Sequence, residues 1–136
     1  MPVESDDEIR AILKQSRTIA VVGASAKPFR DSHSIAEFLI QTGYEVIPVN
    51  PAYQETNGRP CYPDLASTGR PIDVVDVFRN PEAVEEVVDQ AIAVRAKVLW
   101  LQLGAANEAA AKRAEEAGVA VVTDKCIAVE YRRLIG

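Results

Sequence analysis

Ser25, Lys27 and Arg30 follow Gly23 within a single loop. A hydroxyl, an ammonium and a guanidinium beside the N–H groups of a tight turn make a seat for a phosphate or pyrophosphate. Acid–base and nucleophilic chemistry are harder to assemble. His33 is the single histidine, and the motifs around it supply no carboxylate or thiol partner. Cys61 and Cys126 are the two cysteines, too few for a disulfide framework and without a metal-ligand spacing. Both read as inert, reduced thiols. Asp73 and Asp76 lie three apart on one extended run, so they point to opposite faces and are not a paired-carboxylate site. No nucleophile–base pair oriented by a third group is visible. No catalytic residue and no metal ligand is therefore assigned.

Strands and helices must hold the phosphate seat in place. The apolar run Thr18–Val22 carries no charge, is rich in Val and Ile, and stops at Gly23. It reads as a strand, expected over about 17–23 and buried on both faces. The glycine lets the backbone turn tightly and lets a ligand approach. Upstream, Ser5 with Glu8 forms a capping box, which predicts a helix over 6–16. Downstream, Ser34 with Glu37 repeats the box and predicts a second helix with Ile35, Phe38, Leu39 and Thr42 on its buried stripe. Asn80 with Pro81 predicts a third, with Val84, Val87, Val88, Ala91 and Ile92 on its apolar face. An alanine-built helix is expected over 107–117 and a last one over 126–134. Further strands are expected over 45–49, 72–78, 97–103 and 119–123. Pro48 inside the second strand argues for a sheet edge or an irregular ladder. The Pro- and Gly-bearing segment 52–71 is long for a loop, and a short helical turn near Asp64 and Leu65 is expected to break it.

Strands alternating with helices predict an α/β fold: one domain over 1–136, with a doubly wound parallel sheet of five strands and helices on both faces. The strand order expected is 3-2-1-4-5. Ligands in such sheets sit beyond the carboxyl ends of the strands, where the winding reverses. That point is expected between strands one and four, bordered by loops 23–32 and 103–107, with 50–51 and 78–80 beside them.

Bulk properties narrow the partners. The 136 residues are 48% hydrophobic, with a formal net charge of -5. That balance disfavours nucleic acid, which usually meets a basic face. No apolar run approaches the roughly 20 residues of a membrane span. The acidic start has no signal-peptide pattern, so a cytoplasmic location is expected. A dinucleotide such as NAD is the default ligand for this architecture, and two features oppose it. Ser25 and Pro28 stand where the G-x-G-x-x-G fingerprint needs glycines. Strand two ends in Asn50-Pro51, not in the carboxylate that would hold a ribose. A phosphorylated ribose meets no repulsion there.

Five segments in this order carry a resemblance: Val22-Gly23-Ala24-Ser25, Val49-Asn50-Pro51, Asp73 to Arg79, Trp100 to Gly104, and Asp124-Lys125-Cys126-Ile127. Together they resemble the small CoA-binding proteins, which are similar to the nucleotide-binding domain of the succinyl-CoA synthetase α-subunit. The resemblance spans about Ile9 to Leu134 and implies a Rossmann-like domain that binds coenzyme A. It implies that Gly23, Ala24, Ser25 and Lys27 line the pyrophosphate; Arg30, from the chemistry of the loop itself, is expected to stand beside them as a second cation. Asn50 and Pro51 would stand on the ribose side. Phe78, Arg79 and Pro81 would border the adenine or 3′-phosphate region, and Leu103 and Gly104 the pantetheine path. The synthetases carry a further domain with a phosphorylated histidine, which is not expected in this chain. Relatives often have His where this chain has Tyr131, so no role of that His transfers. The function expected is binding, carrying or sensing of coenzyme A or an acyl-CoA, without catalytic machinery of its own. An NAD(P)-dependent oxidoreductase or other nucleotide-binding enzyme, and a protein-interaction module with a vestigial pocket, are the alternatives; no particular protein partner is implied.

Overall fold

The computed structural model describes residues 2–136. Its elements run α1 (Asp6–Gln15), β1 (Thr18–Val22), α2 (Asp31–Gln41), β2 (Glu45–Val49), β3 (Glu55–Thr56), β4 (Arg59–Pro60), β5 (Val74–Val77), α3 (Val84–Ala93), β6 (Val98–Leu101), α4 (Glu108–Glu116), β7 (Ala120–Thr123) and α5 (Ile127–Leu134). Ser5 caps α1: its hydroxyl accepts the Glu8 N–H at 3.1 Å and donates to the Glu8 carboxylate at 2.9 Å.

The five long strands form one parallel sheet in the order β2-β1-β5-β6-β7. Counting only these strands, the order is 2-1-3-4-5, which corrects the expected 3-2-1-4-5. The third strand enters between the first and fourth instead of lying outside the second. Two residue patterns explain it. Every residue of β5 is buried, as a strand covered on both faces requires. Pro48 has no N–H for an interior ladder, so β2 belongs at an edge. There the Pro48 carbonyl faces outward and accepts the Tyr62 N–H at 3.0 Å, and Asn50 N–H donates to Tyr62 O at 2.8 Å. At the opposite edge, Val3 N–H donates to Val121 O on β7 at 2.7 Å. The winding therefore reverses between β1 and β5. The loop that faces 23–32 is 78–80, and the 103–107 loop lies one strand further away.

Each sheet face buries its own apolar cluster. Val84, Val87 and Val88 of α3 and Ala110, Ala111 and Ala114 of α4 cover one face. Ile9 and Leu13 of α1, Ala36 and Leu39 of α2, and Ile127 of α5 cover the other, around fully buried Trp100. Alanines on α4 let that helix approach the sheet closely.

Two helix starts differ from expectation. α2 begins at Asp31, because Arg30 O already accepts the N–H groups of His33 and Ser34. The Ser34–Glu37 box does not form: the Ser34 hydroxyl donates to Asp31 O, and Glu37 accepts from Asn57. Asn80 makes no capping bond; Pro81 opens a 3-10 turn, Pro81–Ala83, that leads into α3. In the 52–71 segment, the expected helical turn is present as Ala66–Thr68. The β3–β4 hairpin there was not anticipated. Its signal is Asn57-Gly58, both at positive φ (55° and 71°), the pair that a two-residue hairpin turn demands. Asn57 Nδ2 donates to His33 O and to the Glu37 carboxylate, both at 3.1 Å, so the hairpin braces the start of α2.

Asp76 is the anomaly of the core. It sits within β5, between Val21 and Trp100 in register, fully buried, and neither carboxyl oxygen has a protein partner. Burial pushes its carboxyl well above the usual carboxylate range. The folded chain then keeps a proton that the unfolded chain loses from about pH 4 upward. Its contribution to stability is full below that point and is lost as pH rises through the raised folded value. Asp76→Asn removes the titration. Urea denaturation of both proteins across pH is expected to show the wild type losing stability relative to Asp76→Asn as pH rises. Parallel profiles would refute the assignment.

Candidate functional site

The ends of β1 and β5 meet at Gly23. Its φ of +89° is one that residues with a side chain rarely adopt, and a Cβ there would lie 2.2 Å from the Phe78 carbonyl oxygen. The Arg79 side chain packs over the same point, its Cδ 3.3 Å from that position. The Gly23 and Ala24 N–H groups turn back into the fold and donate to Val49 O at 2.9 and 3.4 Å. These two amides are thus committed. The N–H groups of Ser25, Asp31 and Ser32 have no protein partner among the described residues. Two of the three belong to the first turn of α2, whose positive dipole end favours an anion.

Side chains fix the loop. Ser25 Oγ accepts the Lys27 N–H at 3.0 Å, and Ser25 O faces His33 Nδ1 at 2.8 Å. Facing a carbonyl, that ring nitrogen carries the hydrogen. Asn50 Nδ2 donates to Ala24 O at 2.8 Å, and Asn50 Oδ1 accepts the Ala52 N–H at 2.9 Å. Asn50 therefore clamps the loop after β2 to the loop after β1. Cys61 donates its thiol to Asn50 O at 3.5 Å, and burial pushes that thiol's pKa up. Its thiolate is scarce, which fits an inert cysteine.

A cavity of about 540 Å³ opens between these loops. Gly23, Ala24, Ser25, Lys27, Arg30, Asn50 and Phe78 line it, as do Phe29, Asp31, Ser32 and Tyr53, which sequence reasoning had not singled out. Asp31 and Ser32 were missed because the Ser34–Glu37 pattern mimics a helix start three residues late. Arg79 is not part of the lining; its side chain packs beside Gly23. Pro51, Pro81, Leu103 and Gly104 are exposed and lie outside the lining. Pro81 O accepts from Asn107 Nδ2 at 2.8 Å, which ties the loops after β5 and β6 together.

The electrostatics suit an anion. Lys27, Arg30 and Arg79 have no acidic partner among the described residues. Arg10, Arg70, Lys97, Arg113 and Arg133 are ion-paired, while Lys14, Arg17, Arg59, Arg95, Lys112, Lys125 and Arg132, like the three near the cavity, are not among the described residues, so it is their position beside the cavity that sets Lys27, Arg30 and Arg79 apart. Among the described residues no group of three or more His, Cys, Asp or Glu is placed to hold a metal, and no helix is long and apolar enough to cross a membrane.

Comparison with known proteins adds four findings. A family model described as a CoA binding domain matches residues 17–132. The "Uncharacterized protein YneT" of Bacillus subtilis is 40% identical over 127 residues, covering 93% of this chain and 94% of that one. The structure of a hypothetical protein from Pyrococcus horikoshii OT3 superposes with a TM-score of 0.96 at 43% identity, over 100% of this chain and 97% of that one. The acetate–CoA ligase (ADP-forming) I of Archaeoglobus fulgidus is 30% identical over 121 residues, which are 82% of this chain and 18% of the ligase.

Proposed function

The chain belongs to the CoA-binding domain family, and on that premise we propose that it binds coenzyme A or an acyl-CoA in the cavity between β1 and β5. One observation carries this reading. In a chain of net charge -5, two cations without acidic partners, Lys27 and Arg30, line a cavity that also presents uncommitted amides, and a third, Arg79, packs beside its Gly23 wall. That is the provision needed for a ligand bearing three phosphates. The pyrophosphate lies over the Ser25 loop and the first turn of α2, with Lys27, Arg30 and Arg79 as counter-charges. Gly23 and Ala24 shape the seat rather than donate to it, and Asn50 holds its rim. Phe78 leads outward from the phosphates, toward Leu103 and Gly104. Pro51 and Pro81 stiffen the rim.

The protein acts as a binding or carrier module. Cys61 is a weak nucleophile, and among the described residues no nucleophile is hydrogen-bonded to the His33 ring, so no nucleophile–base pair is formed. Calorimetric titration with coenzyme A, NAD and NADP side by side tests the proposal. Coenzyme A is expected to bind at least about a hundredfold more tightly than either dinucleotide, a difference of about 2.7 kcal/mol. Equal or tighter binding of NADP would overturn it.

A further inference from the structure

We propose that Phe29, together with Tyr53, seats the flat base of the bound nucleotide; this rests on the coenzyme A reading above. Phe29 lines the cavity yet is 77% exposed, the most exposed large apolar side chain among the described residues. A phenyl ring left in water forgoes the stabilisation that burial would bring. Phe29 is not on a loose segment. Lys27, Pro28, Phe29 and Arg30 form a β-turn closed by Arg30 N–H donating to Lys27 O at 3.0 Å. Pro28 holds the second position with its fixed φ, so Phe29 is presented from the corner of a pre-set turn. The Arg30 guanidinium lies 5.8 Å from the ring centroid, so a phosphate-seeking cation stands next to the ring.

Tyr53 is placed by the same logic. Its N–H donates to Asn50 O at 3.3 Å, and Asn50 is itself bound to the Ser25 loop through Ala24. The Tyr53 hydroxyl has no hydrogen-bond partner among the described residues and is free to meet a polar edge. Phe78, the third aromatic on the cavity, differs: it packs against the apolar cluster beneath α1, α2 and α5. Open aromatic faces beside a polar, cationic cavity fit a ligand that joins phosphates to a planar π-system. Stacking of that kind tolerates any base, so the ring supplies affinity for the nucleotide end rather than for the acyl end.

The test separates the two ends of the ligand. Coenzyme A, 3′,5′-ADP and 4′-phosphopantetheine are titrated calorimetrically into the wild type, Phe29→Ala and Phe29→Trp. Phe29→Ala is expected to weaken coenzyme A and 3′,5′-ADP by the same factor, about ten- to a hundredfold, and to leave 4′-phosphopantetheine unchanged. Phe29→Trp is expected to retain all three. Equal loss for all three ligands, or no loss for any, would overturn the assignment while leaving coenzyme A binding intact. A wild type that binds none of them would remove the coenzyme A reading itself, and this assignment with it.

Discussion

Gly23→Ala is expected to destabilise the fold by on the order of 4 kcal/mol and to abolish coenzyme A binding in whatever fraction stays folded. Two costs add. The left-handed φ of +89° strains any side-chain-bearing residue, and the new Cβ would lie 2.2 Å from Phe78 O and 3.0 Å from its carbonyl carbon. Both clashing atoms are main chain in the loop that β5 feeds, so relief requires β1 and β5 to part. That separation opens the floor of the cavity. Gly118→Ala supplies the control. Its φ is +90°, but a Cβ there meets nothing within 4 Å. It should cost only the conformational strain, about 1–2 kcal/mol. Thermal melts followed by circular dichroism check both. Similar losses for the two variants would show that space at Gly23 does not matter.

The second large effect concerns charge. The double variant Lys27→Ala/Arg30→Ala is expected to lose about 3 kcal/mol of coenzyme A affinity, roughly 150-fold, with its melting temperature unchanged. Charge-assisted hydrogen bonds are worth about 1.5–3 kcal/mol each. Both side chains are exposed, which places the sum toward the low end of that range. Neither makes an ion pair within the protein, so their removal leaves no carboxylate stranded. The same titration at high salt should narrow the gap between wild type and variant, because screening weakens exposed charges. An affinity that does not change at low salt would place the phosphates elsewhere.

Much of this architecture was legible in the residues. The uncharged run ending at Gly23 marked the strand whose end opens onto the cavity, and Ser25, Lys27, Arg30, Asn50 and Phe78, legible in the residues, line it. The strand order was also decidable. Pro48 announced an edge, whereas the order 3-2-1-4-5 would have placed its strand in the interior; the proline was the stronger evidence. That error displaced the winding reversal by one strand and drew Leu103 and Gly104 nearer to the seat than they lie. Other features were beyond pattern. Ser34-x-x-Glu37 satisfies a local rule, and only the competing claim of Arg30 O on two amides shows why the helix begins earlier. The outward stance of Phe29 and the burial of Asp76 are tertiary facts. A lone phenylalanine in a loop and an aspartate in an apolar run do not state how much water they see.

The two flanks of the sheet differ, and the difference limits how this chain can assemble. At β2 the proline has no hydrogen to give, and Tyr62 has already taken its oxygen. At β7 a single bond from Val3 stands between the strand and a newcomer. Strand-to-strand association is therefore less hindered at β7 than at β2. Two copies joined through β7 would use up each other's less hindered border, so growth through that border ends at a pair and does not propagate into a filament.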